Sequence, residues 1–268
     1  LFVFGIPIMI SSIGWLILGY TDTAVLTLFR TMEEVGLYNV VLPTVSLLFY
    51  FTAAVSTVIL PMVSEMWARK HNERLKNGLK MIYNYSLVFI LPFALLMFVF
   101  PEIILNILFG PQYIVASNAL QILSIGSIFY TIAYINLNII SGIGKPKITG
   151  YIVLTAALFN LIGNFILIPK YGIIGAAITT AIGFFIMFVI SLIYISKKIG
   201  FYLNLFDNLK IIFNNILFLI IIYLMKNIPL NIYLKIILSG FFGFGIYLIL
   251  CFIFKIIDLN YIKKLVLR

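Results

Sequence analysis

Eight stretches of this chain contain no Asp, Glu, Lys or Arg: Leu1–Tyr20, Gly36–Leu60, Met81–Phe100, Ala119–Ile140, Ile148–Ile168, Gly175–Ile195, Ile211–Met225 and Ile236–Phe254. A helix needs about 20 apolar residues to cross the hydrocarbon of a bilayer, and all but the seventh run reach roughly that length. The seventh is expected to extend back through Phe206–Leu209, with Lys210 snorkelling to the headgroups. The runs are continuous rather than alternating, so they read as helices and not as barrel strands. Hydrophobic residues make up 63% of the chain and charged residues only 10%, against roughly 25% charged in an ordinary soluble domain. That balance excludes a soluble enzyme, a disordered chain and a disulfide-rich secreted module. Cys251, the single cysteine, lies inside an apolar run, and His71, the single histidine, in a charged loop. Neither an internal disulfide nor a metal cluster is expected. The predicted fold class is all-α, a polytopic transmembrane helical bundle of about eight helices.

The net charge of +10 sorts by loop. Arg69, Lys70, Arg74, Lys76 and Lys80 lie between the second and third runs, Lys145 and Lys147 between the fourth and fifth, and Lys197, Lys198 and Lys210 between the sixth and seventh. Lys255, Lys263, Lys264 and Arg268 form the tail, so 14 of the 18 basic residues fall in alternate connections. Arg30, Lys170, Lys226 and Lys235 occupy the others. By the positive-inside rule the richer set is cytoplasmic. The C-terminus and the start of the first run are then cytoplasmic, in a multi-pass protein of the cell (plasma or inner) membrane. The basic excess records topology, and no nucleic-acid partner is implied. Glu65–Lys80 reads as a short amphipathic helix on the inner surface, with Trp67, Leu75 and Leu79 facing lipid. Pro101–Ser117, broken at Gly110-Pro111, reads as an interfacial segment on the outer side.

Polar residues at helical spacing are the informative signal within the runs. Gln121, Ser124, Ser127, Thr131, Tyr134, Asn138 and Ser141 recur every three or four residues along the fourth run. Asn39, Pro43, Ser46, Tyr50, Ala53 and Thr57 do so on the second, Ser11, Trp15, Gly19 and Asp22 on the first, and Ala156, Asn160 and Asn164 on the fifth. Two explanations stand side by side: interhelical hydrogen bonds in a packed bundle, or a hydrated cavity shared by these four helices. Continuous stripes on four helices favour the cavity. Gly175, Thr179 and Gly183 form a small-residue seam suited to close helix packing.

Asp22 is the only acid in Leu1–Phe29, and an ionisable group inside a span is a functional candidate by default. One arrangement would pair it with Arg30 at the outer mouth of the cavity. The candidate cavity and substrate residues are therefore Asp22, Arg30, Asn39, Gln121, Ser124, Thr131, Asn138, Asn160 and Asn164. No G-x-S-x-G, phosphate-binding glycine loop, H-E-x-x-H or paired-cysteine motif occurs. No catalytic residue, metal ligand or enzymatic activity is assigned.

Several short motifs share the order of one known family. Asp22 followed by Val35-Gly36-Leu37-Tyr38-Asn39 is similar to a "D … v-G-x-Y" opening, and Leu108-Phe109-Gly110-Pro111-Gln112-Tyr113 with Ala116 to an "l-F-G-x-x-y-x-x-a" segment. Ser141-Gly142-Ile143-Gly144-Lys145-Pro146-Lys147 resembles an "a-x-G-k-x-k" connection. Asn160 to Asn164 and then Ile168-Pro169-Lys170-Tyr171-Gly172-Ile173-Ile174-Gly175-Ala176-Ala177 resemble "N-x-x-x-N-x-x-l-I-P-x-y-G-i-x-G-A-A". The chain thus resembles the polysaccharide biosynthesis proteins, repeat-unit flippases of the multidrug/oligosaccharidyl-lipid/polysaccharide (MATE-like) exporter superfamily.

The resemblance implies a six-helix MATE-like C-terminal lobe over residues 1–200. Two accessory helices and a cytoplasmic tail would follow over 201–268. The opening at Leu1, in the middle of an apolar run, would then mean that an N-terminal lobe of the same chain is missing. The implied function is movement of a lipid-linked oligosaccharide from the cytoplasmic to the outer leaflet by alternating access, for cell-surface polysaccharide synthesis. The implied partners are membrane lipids, a polyprenyl-linked glycan and the missing lobe. No cofactor is implied, and coupling to a proton or sodium gradient would fit. A drug or metabolite cation antiporter of the same superfamily is the alternative. The family tends to place bases in its cavity, and the middles of the first six runs have no Lys or Arg.

Overall fold

The computed structural model describes residues 2–201, 205–226, 238–254 and 256. Nine α-helices are described: α1 (Phe2–Phe29), α2 (Met32–Ala68), α3 (Asn72–Val99), α4 (Pro101–Phe109), α5 (Ser117–Gly142), α6 (Pro146–Tyr171), α7 (Ile173–Ile199), α8 (Leu205–Lys226) and α9 (Phe244–Ile253). A 3-10 turn, Pro111–Ala116, leads into α5, and a π-helical turn, Ser239–Gly243, leads into α9. No strand occurs among the described residues. The protein is an all-α, polytopic membrane bundle.

The charge-free runs set where the helices lie, and the connections set where they stop. Thr31 caps α2, its hydroxyl accepting the Glu34 amide at 3.3 Å, and Glu33 and Glu34 sit in the first turn against the helix dipole. α5 ends in a Schellman turn. The Lys145 amide donates to the Ile140 carbonyl at 3.1 Å and the Gly144 amide to Ser141 at 3.0 Å, with Gly144 at φ +78°. α2 ends the same way: His71 donates to Met66 at 3.0 Å and Lys70 to Trp67 at 3.1 Å, with Lys70 in the glycine-like position at φ +56°. Both turns lie at one end of the bundle, tied by Ser64 Oγ donating to the Gly142 carbonyl at 3.1 Å. They carry much of the basic charge and define the basic end. At the opposite end Gly172, at φ +55°, makes the whole α6–α7 connection. A Cβ there would run into the Arg30 and Glu34 side chains, so the two hairpin turns of that end touch.

Packing follows the small residues. A Cβ on Gly14 of α1 would meet Val153 of α6 at 2.8 Å, and one on Gly126 of α5 would meet Ala181 of α7 at 3.0 Å. α1 lies along α6 and α5 along α7 as the two most extensive helix pairs. The Gly175–Thr179–Gly183 seam of α7 faces α6. Gly175 lies against the Leu167 carbonyl, Thr179 against Gly163, and Gly183 against the Ala156 carbonyl. Leu16, Leu47, Val58, Phe159 and Ile166 point outward, as lipid-facing positions require.

Six described helices are long and apolar enough to cross a membrane: Ser11–Phe29, Met32–Ala68, Asn72–Val99, Pro111–Gly142, Pro146–Tyr171 and Ile173–Ile199. Two shorter apolar stretches follow, Leu209–Met225 and Phe241–Ile253, at the seventh and eighth predicted runs, and the start of the eighth run lies outside the described residues. Two expectations need correction. Glu65–Lys80 is not one amphipathic helix. It is the end of α2, the Lys70 turn and the first turns of α3. Leu75 and Leu79 are fully buried rather than lipid-facing, because α3 turns that stripe into the core beside Val63 and Tyr83. The other correction concerns Asp22.

α8 packs along α3 and α9 against α8, and α9 also reaches a defect in α3. Pro92 has no amide hydrogen, so the Val88 carbonyl four residues earlier has no helical donor. The Tyr247 hydroxyl of α9 supplies one at 2.8 Å.

Candidate functional site

Asp22 sits in α1 at 2% exposure, and four neutral donors from three other helices converge on it. The Tyr38 hydroxyl (α2) donates to Oδ2 at 2.6 Å, and the Thr180 hydroxyl (α7) to the same oxygen at 2.5 Å. The Asn160 and Asn164 amides (α6) donate to Oδ1 at 3.1 and 2.7 Å. The donors are themselves linked. Asn160 donates its second amide hydrogen to the Thr180 hydroxyl at 2.9 Å, Asn164 donates to the Asn160 amide oxygen at 3.1 Å, and the Thr179 hydroxyl donates to the Asn164 amide oxygen. A carboxylate offers about four acceptor positions, and here they are filled. Asp22 has no ion pair among the described residues.

Arg30 is instead paired within its own hairpin, its Nε 2.9 Å from Glu34 Oε2. This is the second correction. Asp22 lies two turns down α1 from Arg30, on the face turned into the bundle, while Arg30 leaves the helix at its solvent end.

Asp22 and Thr180 also line a cavity of about 250 Å³ between α1, α2, α5 and α7. Its remaining wall is Trp15, Leu18, Gly19, Leu42, Val45, Ser46, Phe49, Leu123, Tyr130 and Phe184. Asp22 is the only charged residue on it.

The structure gathers three of the nine candidate residues, Asp22, Asn160 and Asn164, into one network. The other six sit elsewhere. Asn39 accepts from Thr23 at 3.3 Å in an exposed position. Gln121 donates to the Phe98 carbonyl at 2.9 Å, near the end of α3. Ser124 is fully buried and donates to the Gln121 carbonyl at 2.7 Å. Thr131 is buried against Thr52, their hydroxyls 3.0 Å apart. Asn138 donates to the Tyr134 carbonyl at 2.8 Å. The upper part of the α5 stripe is therefore a packed interface, and no stripe residue lines this cavity, which α5 meets through Leu123 and Tyr130. Tyr38 and Thr180 were not among the candidates. Tyr38 had a signal, as the tyrosine of the "v-G-x-Y" motif, whereas Thr180 lies beside the small-residue seam with nothing local to mark it. A second buried node was also unforeseen: Tyr83 donates to the Asn136 amide oxygen, and Asn136 donates to Ser191 at 2.8 Å, joining α3, α5 and α7.

Residues 7–166 match the family model MatE. The chain belongs to the MatE family. Its membership in the multidrug/oligosaccharidyl-lipid/polysaccharide exporter superfamily agrees with the order of its motifs. Uncharacterized membrane protein MJ1068 of Methanocaldococcus jannaschii is 46% identical over 198 residues, covering 74% of this chain and 39% of that one. "Probable low-salt glycan biosynthesis flippase Agl15" of Haloferax volcanii is 27% identical over 192 residues, covering 72% and 41%. Among solved structures, Lipid II flippase MurJ in an inward closed conformation superposes with a TM-score of 0.76 at 22% identity, over 93% of this chain and 52% of that one, which establishes the fold. This MatE chain spans about half or less of the length of these relatives.

Proposed function

We propose that this MatE chain acts in a flippase that moves lipid-linked oligosaccharide from the cytoplasmic to the outer leaflet of the cell membrane. α1 to α7 (residues 1–200) would act as one lobe, rocking against a second lobe to give alternating access. α8, α9 and the tail would be accessory, and the basic end would face the cytoplasm. The observation that carries this reading is the cavity beside Asp22: a mostly apolar pocket bordered by a buried carboxylate and a few hydroxyls inside a membrane bundle, in a chain whose relative in Haloferax volcanii is named as a probable glycan biosynthesis flippase. A glycan and its pyrophosphate cannot cross hydrocarbon unaided, and such a pocket gives polar groups a place inside the membrane. Asp22 would couple transport to a proton or sodium gradient. Turning the Asn160 and Asn164 amides would replace donors with oxygens, and hard oxygen ligands suit a small cation.

A second reading, a drug or metabolite cation antiporter, is favoured by Asp22 being the only charged group on the cavity. Reconstitution of the protein in vesicles with a fluorescent polyprenyl-pyrophosphoryl oligosaccharide separates the two. Gradient-dependent translocation of that lipid is expected. Efflux of an organic cation with no movement of the glycolipid overturns the flippase.

A further inference from the structure

We propose that the cavity beside Asp22 is a subsite for a single sugar ring, stacked against Trp15, Phe49 and Tyr130; this rests on the flippase reading. Trp15 precedes Asp22 by two helical turns, so both look into the same space. Tyr130 and Tyr134 are one turn apart on α5 and stack with centroids 5.6 Å apart and planes at 22°. Phe49 of α2 lies on Tyr130 at 3.9 Å. Trp15 meets both tyrosines edge-on at 6.0 and 5.8 Å. Three helices thus contribute to one half-buried aromatic wall.

A pyranose has an apolar face of C–H bonds and a polar rim of hydroxyls. The face fits an aromatic ring, whose surface is apolar and carries negative potential. The rim needs hydrogen-bonding groups, and the cavity offers the hydroxyls of Ser46 and Tyr130, that of Thr180 being engaged with Asp22 and Asn160. Its volume of about 250 Å³ equals roughly eight waters, which suits one ring. No Lys or Arg lines it, so the pyrophosphate has no partner here. An organic cation would also accept aromatic walls, but the carboxylate it needs already accepts four hydrogen bonds.

The test uses the protein in phosphatidylcholine nanodiscs and three probes: polyprenyl-pyrophosphoryl-N-acetylglucosamine, the same polyprenyl pyrophosphate without sugar, and tetraphenylphosphonium. Tryptophan emission is expected to change with the sugar-bearing probe alone, and Trp15→Phe should abolish the change. Tyr130→Leu should weaken that probe about tenfold and the sugar-free lipid less than about twofold. Tyr130→Phe keeps the ring and loses only the hydroxyl, so it should weaken the sugar-bearing probe less than Tyr130→Leu does, and the unfolding midpoints of both variants control for folding. An equal response to both lipids, a response that survives Trp15→Phe, or a response to the phosphonium alone overturns the subsite. Translocation on the same samples separates the two proposals. A flipped glycolipid with Trp15 silent and Tyr130→Leu indifferent overturns the subsite and leaves the flippase standing. Trp15 responding to the sugar without translocation supports the subsite and overturns the flippase.

Discussion

Two of the polar nodes buried in this bundle are finished to different degrees. At Asp22, every donor on Tyr38, Asn160, Asn164 and Thr180 described above has an acceptor, and four helices are held in one register. Between α8 and α9 the asparagines are left incomplete. Asn214 donates to Cys251 Sγ at 3.0 Å and Asn215 to the Ile211 carbonyl at 2.8 Å, but the amide oxygen of each is buried without a partner among the described residues. An unpaired buried polar atom carries its full desolvation cost, whereas a satisfied network specifies one arrangement. The first node fixes the geometry of a site. The second lets a helical pair dock with one well-made bond, Tyr247 to Val88, and otherwise through apolar contact.

The largest effect is expected at Asp22. Asp22→Ala would strand four buried donors at once. Deleting single partners costs roughly 1–3 kcal/mol in water-soluble cores but averages nearer 0.6 kcal/mol in membranes, where the unfolded chain finds other partners, so a loss of about 3 kcal/mol is expected. Unfolding in mixed detergent micelles measures it. Transport in vesicles should fall to background, and wild-type rates in a folded Asp22→Ala protein would remove Asp22 from the mechanism.

Much of this site was legible in the sequence because its parts lie at helical spacing. Asn160 and Asn164 are one turn apart on one face, and Asp22 is the only charged residue in Leu1–Phe29. What the sequence could not supply is the partner across helices. Asp22 and Thr180 are 158 positions apart, and no local pattern says which face of α7 meets α1. The same limit explains the Arg30 pairing. Two opposite charges near each other in sequence suggested a pair, but the helix phase sends Asp22 inward and leaves Arg30 to Glu34, one turn away. Helix positions were read well, since an absence of charge over about 20 residues has few other causes. The α2–α3 connection was misread. Its basic residues promised a surface helix, while a lysine in the left-handed position makes a tight turn that buries Leu75 and Leu79.

A matched pair of substitutions tests whether the two nodes truly differ. Asn164→Leu would take a donor from Asp22, a donor from Asn160 and an acceptor from Thr179. It should destabilise by about 2 kcal/mol. Asn214→Leu, of similar volume, removes an amide whose oxygen already lacks a partner, and exchanging such a group for an apolar one is near neutral or stabilising. The same unfolding measurement should place the variants about 2 kcal/mol apart. Equal losses would mean that the α8–α9 amides are as well satisfied as those around Asp22, and the contrast would collapse.

A smaller loss than at Asn164 should come from Tyr247→Phe, and it sharpens what holds α9 to α3. The ring stays, so its stacking on Phe244, with centroids 6.1 Å apart, and its edge contact with Phe218 at 5.5 Å persist. Only the hydroxyl is lost, and with it the donor that serves the Val88 carbonyl left open by Pro92. The expected loss is about 1 kcal/mol. Proline at position 92 makes the prediction a cycle. In a Pro92→Ala background the helix supplies its own amide to Val88, so Tyr247→Phe should then cost less than it does beside proline. A cost independent of residue 92 would show that Tyr247 acts through its other contact, the amide of Asn215 at 3.4 Å, and not through the gap in α3.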